Sequence, residues 1–318
     1  MTKEQQQIFK AENDDFFNKR RLTLKALASI FTLYETTKLD PLRSNLSLLH
    51  ELIYHSDWSF WDKFVESKEF EDINHPPDVV SMLTSLGLNN PASGRWYHGT
   101  NTKNRTERAI RSKKYSFCEA DVRGRFTLHD RYSITDQTLE GFLKKTTKEG
   151  IVDFLDIKDE EGLENTFSEV YKLAETRSDS DPPLFIICGA DLWKGPGGTK
   201  PVFRDSEVFV FRIINLKEKV KKYGINILLS VGFTSGDVRG GRFSLSDAQE
   251  MIEFSKEYDV VKIVSLLMDY IPNSKEVIQL YLDNDWYVRA FTKGEADTKT
   301  VRGITDINPN RLMADFQK

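Results

Sequence analysis

The chain has 318 residues, 39% of them hydrophobic and 30% charged, with a net charge of −4. That balance excludes nucleic-acid binding by bulk charge, and no apolar run approaches the ~20 residues of a membrane-spanning helix. The only cysteines, Cys118 and Cys188, exclude a disulfide framework and favour a reducing compartment. The first residues carry no apolar core of a signal peptide, so a cytoplasmic location is expected unless a leader has been removed.

Residues 1–93 read as a helical extension. From Asp15 to Lys38 the residues Phe16, Phe17, Leu24, Leu27, Ile30, Phe31 and Tyr34 recur at helical spacing. Further helical stretches cover 46–54 and 58–65. Pro76-Pro77-Asp78 opens a fourth helix that stops at Gly87. His50 and His55 are five apart, about 140° around a helix, which separates them too far to share a metal. Trp58-Ser59-Phe60-Trp61 packs on the rest of the chain or meets a protein partner. Asn89-Asn90-Pro91-Ala92-Ser93-Gly94 reads as a linker.

From residue 94 the rhythm changes. Strands are expected at 96–98, 116–122, 152–157, 184–188, 227–230, 260–265, 287–291 and 303–305. Helices are expected at 102–112, 139–148, 161–177, 206–223, 246–258 and 273–283. Such alternation implies parallel strands, and eight of them imply an α/β fold of the (β/α)8 barrel type over 94–318, with a doubly wound open sheet as the competing arrangement.

Side chains alternate faces along a strand, so Glu119 and Asp121 share one face of the second strand while Cys118, Ala120 and Val122 take the other. Two neighbouring carboxylates repel, and a hard divalent ion such as Mg²⁺ or Ca²⁺ resolves the conflict; pairing with Arg123 or Arg125 is the plainer alternative. The next strand repeats the device with Asp156, a third candidate ligand, and Lys158, a candidate phosphate contact. His98 ends the first strand and His129 follows the second. Both would open on the carboxylate face, as an acid–base pair suited to phosphodiester cleavage. Asp191, Lys262 and Arg289 are further candidate substrate contacts on later strands. Salt-bridge pairing is the simpler role for the two cations. Gly195-Pro196-Gly197-Gly198 lacks the lysine and hydroxyl of a phosphate-binding loop.

The set His98, Glu119-x-Asp121, His129 and Asp156-x-Lys158 resembles the superfamily of glycerophosphodiester phosphodiesterases and spider-venom-type phospholipases D. Within it, Trp96-Tyr97-His98-Gly99-Thr100-Asn101, Cys118-Glu119-Ala120-Asp121-Val122, the stretch 188–202 and the stretch 229–236 resemble the menorin family. The resemblance spans about 96–312 and implies a barrel that binds a divalent cation and cleaves a small phosphodiester or lysophospholipid, with peripheral membrane contact. The arginine that follows the histidine in glycerophosphodiesterases is replaced here by Gly99. A menorin-like module that kept the barrel and lost turnover is the alternative, with residues 1–93 docking a partner. A third reading takes His98-Gly99-Thr100 as the nicotinamide-nucleotide motif of ADP-ribosyltransferases; it explains nothing after residue 110.

Overall fold

Short β-rich runs that end in polar residues, each followed by an amphipathic stretch, fold as strand–helix repeats. A computed structural model describes residues 75–315 apart from 130–132, 179, 199, 204, 237, 239, 259–261, 293–303 and 305–306. These residues fall within one compact unit, Ser67–Lys318. The helical stretches expected between residues 15 and 65, with His50, His55 and Trp58-Ser59-Phe60-Trp61, lie outside the described residues.

The strands are β1 Trp96–Tyr97, β2 Phe117–Arg123, β3 Phe126–Thr127, β4 Val152–Ile157, β5 Leu184–Lys194, β6 Ile225–Thr234, β7 Lys262–Leu267, β8 Tyr287–Phe291 and β9 Leu312–Asp315. The helices are α1 Pro77–Ser85, α2 Lys103–Ser112, α3 Leu139–Thr146, α4 Glu160–Glu175, α5 Ser206–Lys221, α6 Leu245–Ser255 and α7 Lys275–Asp283. The sheet order β1-β2-β4-β5-β6-β7-β8-β9 is parallel at every step, and β3 pairs antiparallel to the end of β2. The sheet is a nearly closed, barrel-like wall of eight parallel strands. Among the described residues no backbone ladder joins β9 to β1. Instead His98 Nδ1, just past β1, lies 2.9 Å from Asp315 Oδ2 at the end of β9.

Helix starts follow local chemistry. Thr102, Thr138, Asp159, Asp205 and Ser244 each accept a first-turn backbone N–H at the head of α2 to α6. Pro77 opens α1 at a position whose own N–H would have no helical partner. Asp159 does more than cap. Its carboxylate accepts from Gly162 N, Gly124 N and Arg123, so it ties the turn after β2 to the exit of β4.

Two of the expected strands differ in their bounds. The last strand is Leu312–Asp315 and not 303–305, of which 303 and 305 lie outside the described residues. The strand expected at 260–265 is described from Lys262 and runs on to Leu267; residues 260 and 261 lie outside the described residues.

Inside the wall the side chains form layers. Trp96, Phe117, Phe154, Phe185, Ile187, Leu228, Ile263, Tyr287 and Met313 make one apolar cluster, and α1 adds Val79, Met82 and Leu83 to it. The helix the sequence assigned to the extension thus closes the N-terminal end of the barrel. His75, just before it, meets the Tyr287 hydroxyl at 2.7 Å through Nδ1. Each fully buried apolar side chain of this kind contributes about 1.5–3 kcal/mol. Gly189 is required here, because a Cβ at that position would lie 2.8 Å from the Phe154 ring.

One buried group outside this interior works against stability. Asp153 faces away from the apolar cluster, fully buried, with Oδ2 accepting from Thr146 Oγ1 at 2.8 Å and Oδ1 without a hydrogen bond. Burial pushes its carboxyl well above the usual range, with only the Thr146 hydroxyl opposing. The native state therefore keeps a proton that the unfolded chain releases above about pH 4, so this residue's contribution weakens as pH rises from there. Asp153→Asn is expected to raise stability at pH 8 by on the order of 1–3 kcal/mol, with the gain shrinking toward pH 4. Urea unfolding at both pH values measures it; equal destabilisation at both would mean the carboxylate is ionised and well partnered.

Candidate active site

The apolar layer ends abruptly toward the C-terminal edge of the sheet. On one strand after another, the inward residue two places on is polar: Trp96 gives way to His98, Phe117 to Glu119, Phe154 to Asp156, Leu228 to Ser230, Ile263 to Ser265, Tyr287 to Arg289 and Met313 to Asp315. On β5 the corresponding step passes through Gly189 to Asp191, beside a bulge between Asp191 and Trp193. A cavity of about 230 Å³ opens over this layer. Its walls include His98, Glu119, Asp121, His129, Asp156, Lys158, Asp191 and Arg289, with Phe154, Phe233 and Phe291 as aromatic sides.

Glu119, Asp121 and Asp156 each offer an oxygen within 4.8 Å of the others. The register places Asp121 directly beside Asp156 on neighbouring strands. Lys158 Nζ sits 2.5 Å from Asp156 Oδ2 and 3.2 Å from Asp121 Oδ1. One ammonium cannot balance three carboxylates in a buried site, and the acidities record the imbalance. Burial raises Glu119 to about 7, helped by Asp121 and Asp156 and opposed by His98 and Arg289. Burial also pushes Asp121 up, but Lys158, His129 and the Asn101 amide outweigh it and hold the group below the ordinary aspartate range. Burial would depress Lys158, yet Asp156, Asp121 and Asp191 raise it above a free lysine. This all-oxygen, carboxylate-rich set is the chemistry a hard divalent cation takes.

The stretch His98-Gly99-Thr100-Asn101 braces that set. Gly99 adopts φ +64, a left-handed turn that glycine enters without a Cβ clash, and its N–H donates to Glu119 Oε2 at 2.5 Å. Thr100 docks its N–H and its hydroxyl on the Glu119 carbonyl at 2.7 and 2.6 Å. Asn101 donates from Nδ2 to Asp121 Oδ2 at 2.6 Å and accepts from the Asp121 backbone N–H at 2.9 Å. The motif thus fixes both carboxylates of β2 from the neighbouring strand.

The histidines differ in setting. His98 is mostly buried. Its Nδ1 meets Asp315 and its Nε2 lies 3.8 Å from Glu119 Oε2. Burial lowers its pKa, but Glu119 and Asp315 outweigh that and raise it to about 8. His129 is exposed at the rim of the same cavity, and its backbone carbonyl accepts from Arg123 at 3.3 Å. Asp191 is raised to about 7 by burial, with Asp156 adding and Lys158 opposing. A Cβ at position 232 would lie 2.6 Å from Asp191 Oδ1, so Gly232 leaves space for that carboxylate.

The structure therefore brings His98, Glu119, Asp121, His129, Asp156, Lys158, Asp191 and Arg289 to one cavity. Lys262 does not line it: Ile263 and Ser265 share the inward face of β7, so Lys262 takes the other face. Arg289 is not a free anion contact. It is ion-paired with Asp315 and packed against aromatic rings, its guanidinium carbon 4.0 Å from the Phe154 ring centre and 5.4 Å from that of Phe291. Two residues of the site escaped the sequence reading. Asn101 entered only as the last residue of the menorin-like opening motif, without a role in the site, and Asp315 belongs to the strand expected elsewhere. The signal for Asp315 was present: Met313-Ala314-Asp315 repeats the apolar-to-acidic step of Phe154-Leu155-Asp156.

Among solved structures, the arginine decarboxylase of Paramecium bursaria Chlorella virus, bound to agmatine, aligns with 76% of this chain and 61% of its own at 11% identity and TM-score 0.31. The chain thus corresponds to under two thirds of that protein's length, and a likeness so weak carries no argument about activity. No curated protein matches the sequence. The family described as Menorin N-terminal domain matches residues 91–269, more than half of the chain, taking in β1 through β7 and both carboxylate motifs. The chain belongs to that menorin family.

Proposed function

We propose that the cavity is a divalent-cation-dependent phosphodiester-cleaving site. The observation that carries this reading is the meeting of two buried carboxylates and a half-buried one, a lysine and two histidines in one small polar cavity. Glu119, Asp121 and Asp156 would hold Mg²⁺ or Ca²⁺, which when bound supplies Lewis-acid neutralisation of phosphate charge. Lys158, already among the carboxylates, would bind a non-bridging phosphate oxygen as a point charge. His98 and His129, on opposite sides of the Glu119–Asp121 pair in sequence, would exchange the protons: one takes a proton from the attacking hydroxyl, the other gives one to the leaving oxygen. Asp191 would face the alcohol portion of the substrate. A cavity of about 230 Å³ suits a phosphate with a small head group and leaves a longer chain outside.

The test is a panel of glycerophosphodiesters and lysophospholipids incubated with the protein in Mg²⁺ or Ca²⁺, with chelator controls, and the product phosphomonoester or cyclic phosphate read by ³¹P NMR. Cleavage of at least one member that stops with chelator supports the reading. Cleavage indifferent to chelator would remove the cation from the mechanism, and no cleavage across the panel despite metal binding would favour a binding module instead.

A further inference from the structure

We propose that Asp315 is a positioning residue that fixes the ring of His98, so that the last strand of the sheet completes a site whose other parts come from the first half. Three observations meet here. Asp315 is fully buried, and a single oxygen, Oδ2, receives both His98 Nδ1 at 2.9 Å and the Arg289 guanidinium. Arg289 is itself held from the other side by Ser265 Oγ at 3.4 Å and by the rings of Phe154 and Trp96, so Asp315 is pinned and does not turn away. Finally, β9 and β1 share no backbone ladder among the described residues, and this side-chain bridge ties their ends together.

A carboxylate is acceptor-only, so the His98 nitrogen facing it carries the hydrogen. The arrangement makes neutral His98 the Nδ1–H form, with the Nε2 lone pair turned toward Glu119 and the cavity. That is the orientation a proton-accepting imidazole needs, and a carboxylate behind a catalytic histidine acts by this selection of ring and tautomer. Asp315 is held ionised: burial pushes it up, but His98 and Arg289 outweigh that and keep it below the ordinary range. The family match ends at residue 269, so Arg289 and Asp315 complete the site from outside the matched segment.

The ring geometry does not depend on the proposed activity; only its kinetic consequence rests on that reading. The deciding experiment is ¹⁵N NMR of histidine-labelled protein at alkaline pH, where imidazoles are neutral, with the His98 signals assigned by their loss in His98→Gln. The expected result in the unaltered protein is a protonated Nδ1 and a bare Nε2. In Asp315→Asn the preference should persist, since an amide oxygen can occupy the Oδ2 position. In Asp315→Ala it should be lost. If the alanine variant does not fold, the unaltered protein and the asparagine variant still decide. A proton on Nε2 of His98 in the unaltered protein would overturn the proposal. Given a cleaved substrate, Asp315→Ala should lower kcat on the order of 10²–10⁴-fold with KM little changed, and Asp315→Asn should recover part of the loss. A correct tautomer without any turnover would sink the phosphodiesterase reading and leave the positioning role standing.

Discussion

Asp121→Asn is expected to abolish saturable Mg²⁺ and Ca²⁺ binding, weakening it on the order of 100-fold or more. Asp121 is the central carboxylate of the set. It adjoins Asp156 across the sheet, shares its face of β2 with Glu119 and takes Lys158 at 3.2 Å. Asparagine keeps the size and the contact with Asn101 but removes one charge, and charge count is what a hard cation reads. The effect has a stability signature as well. A ligand that binds only the native state stabilises it by about 2.7 kcal/mol at a hundredfold excess over Kd. The unaltered protein should therefore melt higher in millimolar Mg²⁺ or Ca²⁺ than in chelator, and Asp121→Asn should melt alike in both. Equal metal-induced stabilisation of the two proteins would move the cation away from Asp121.

His98→Ala and His129→Ala should each lower kcat on the panel substrate by about 10²–10⁴-fold, equivalent to about 2.7–5.4 kcal/mol of barrier, with KM little altered. Their stabilities should diverge, which separates chemistry from folding. His129 is exposed, so its loss should cost within about 0.5 kcal/mol. His98 bridges to Asp315, and removing it leaves that buried carboxylate with Arg289 alone, at a cost of about 1–3 kcal/mol. The double variant should be little slower than the worse single variant if the two act in one proton relay. Full activity in both single variants would remove the histidines from the mechanism.

Much of the fold was legible because strand and helix patterns repeat. The apolar runs at Val152–Ile157 and Tyr287–Phe291 are bounded by turn residues, and each observed helix from α2 to α7 falls on an amphipathic stretch. Strand ends were less legible. Leu184–Lys194 continues past Cys188 through a bulge, because the second half of β5 carries Asp191 and Trp193 in place of an apolar run. The last strand was missed because Leu312–Asp315 is only four residues long and follows the strand-like Gly303-Ile304-Thr305. Of the candidate site, the carboxylates and Lys158 were readable from face-sharing on single strands, and the histidines from their places at the end of the first strand and after the second. The partners that orient them were not, because Asn101–Asp121 and His98–Asp315 are pairs between strands, and a single sequence does not state register. Lys262 illustrates the same limit: its neighbour Ile263 belongs to the inward cluster, so Lys262 takes the other face of the strand.

The central claim is that Glu119, Asp121 and Asp156 form a divalent-cation site beside two proton-transferring histidines. The most direct test is a crystal of chelator-treated protein soaked in Mn²⁺, with anomalous scattering located in the map. The expected result is one strong anomalous peak within about 2.0–2.6 Å of an oxygen from each of the three carboxylates, with Lys158 turned aside from Asp121. A protein that takes up no Mn²⁺ there, or binds it only at surface carboxylates, would contradict the account and make the trio a partner set for Lys158.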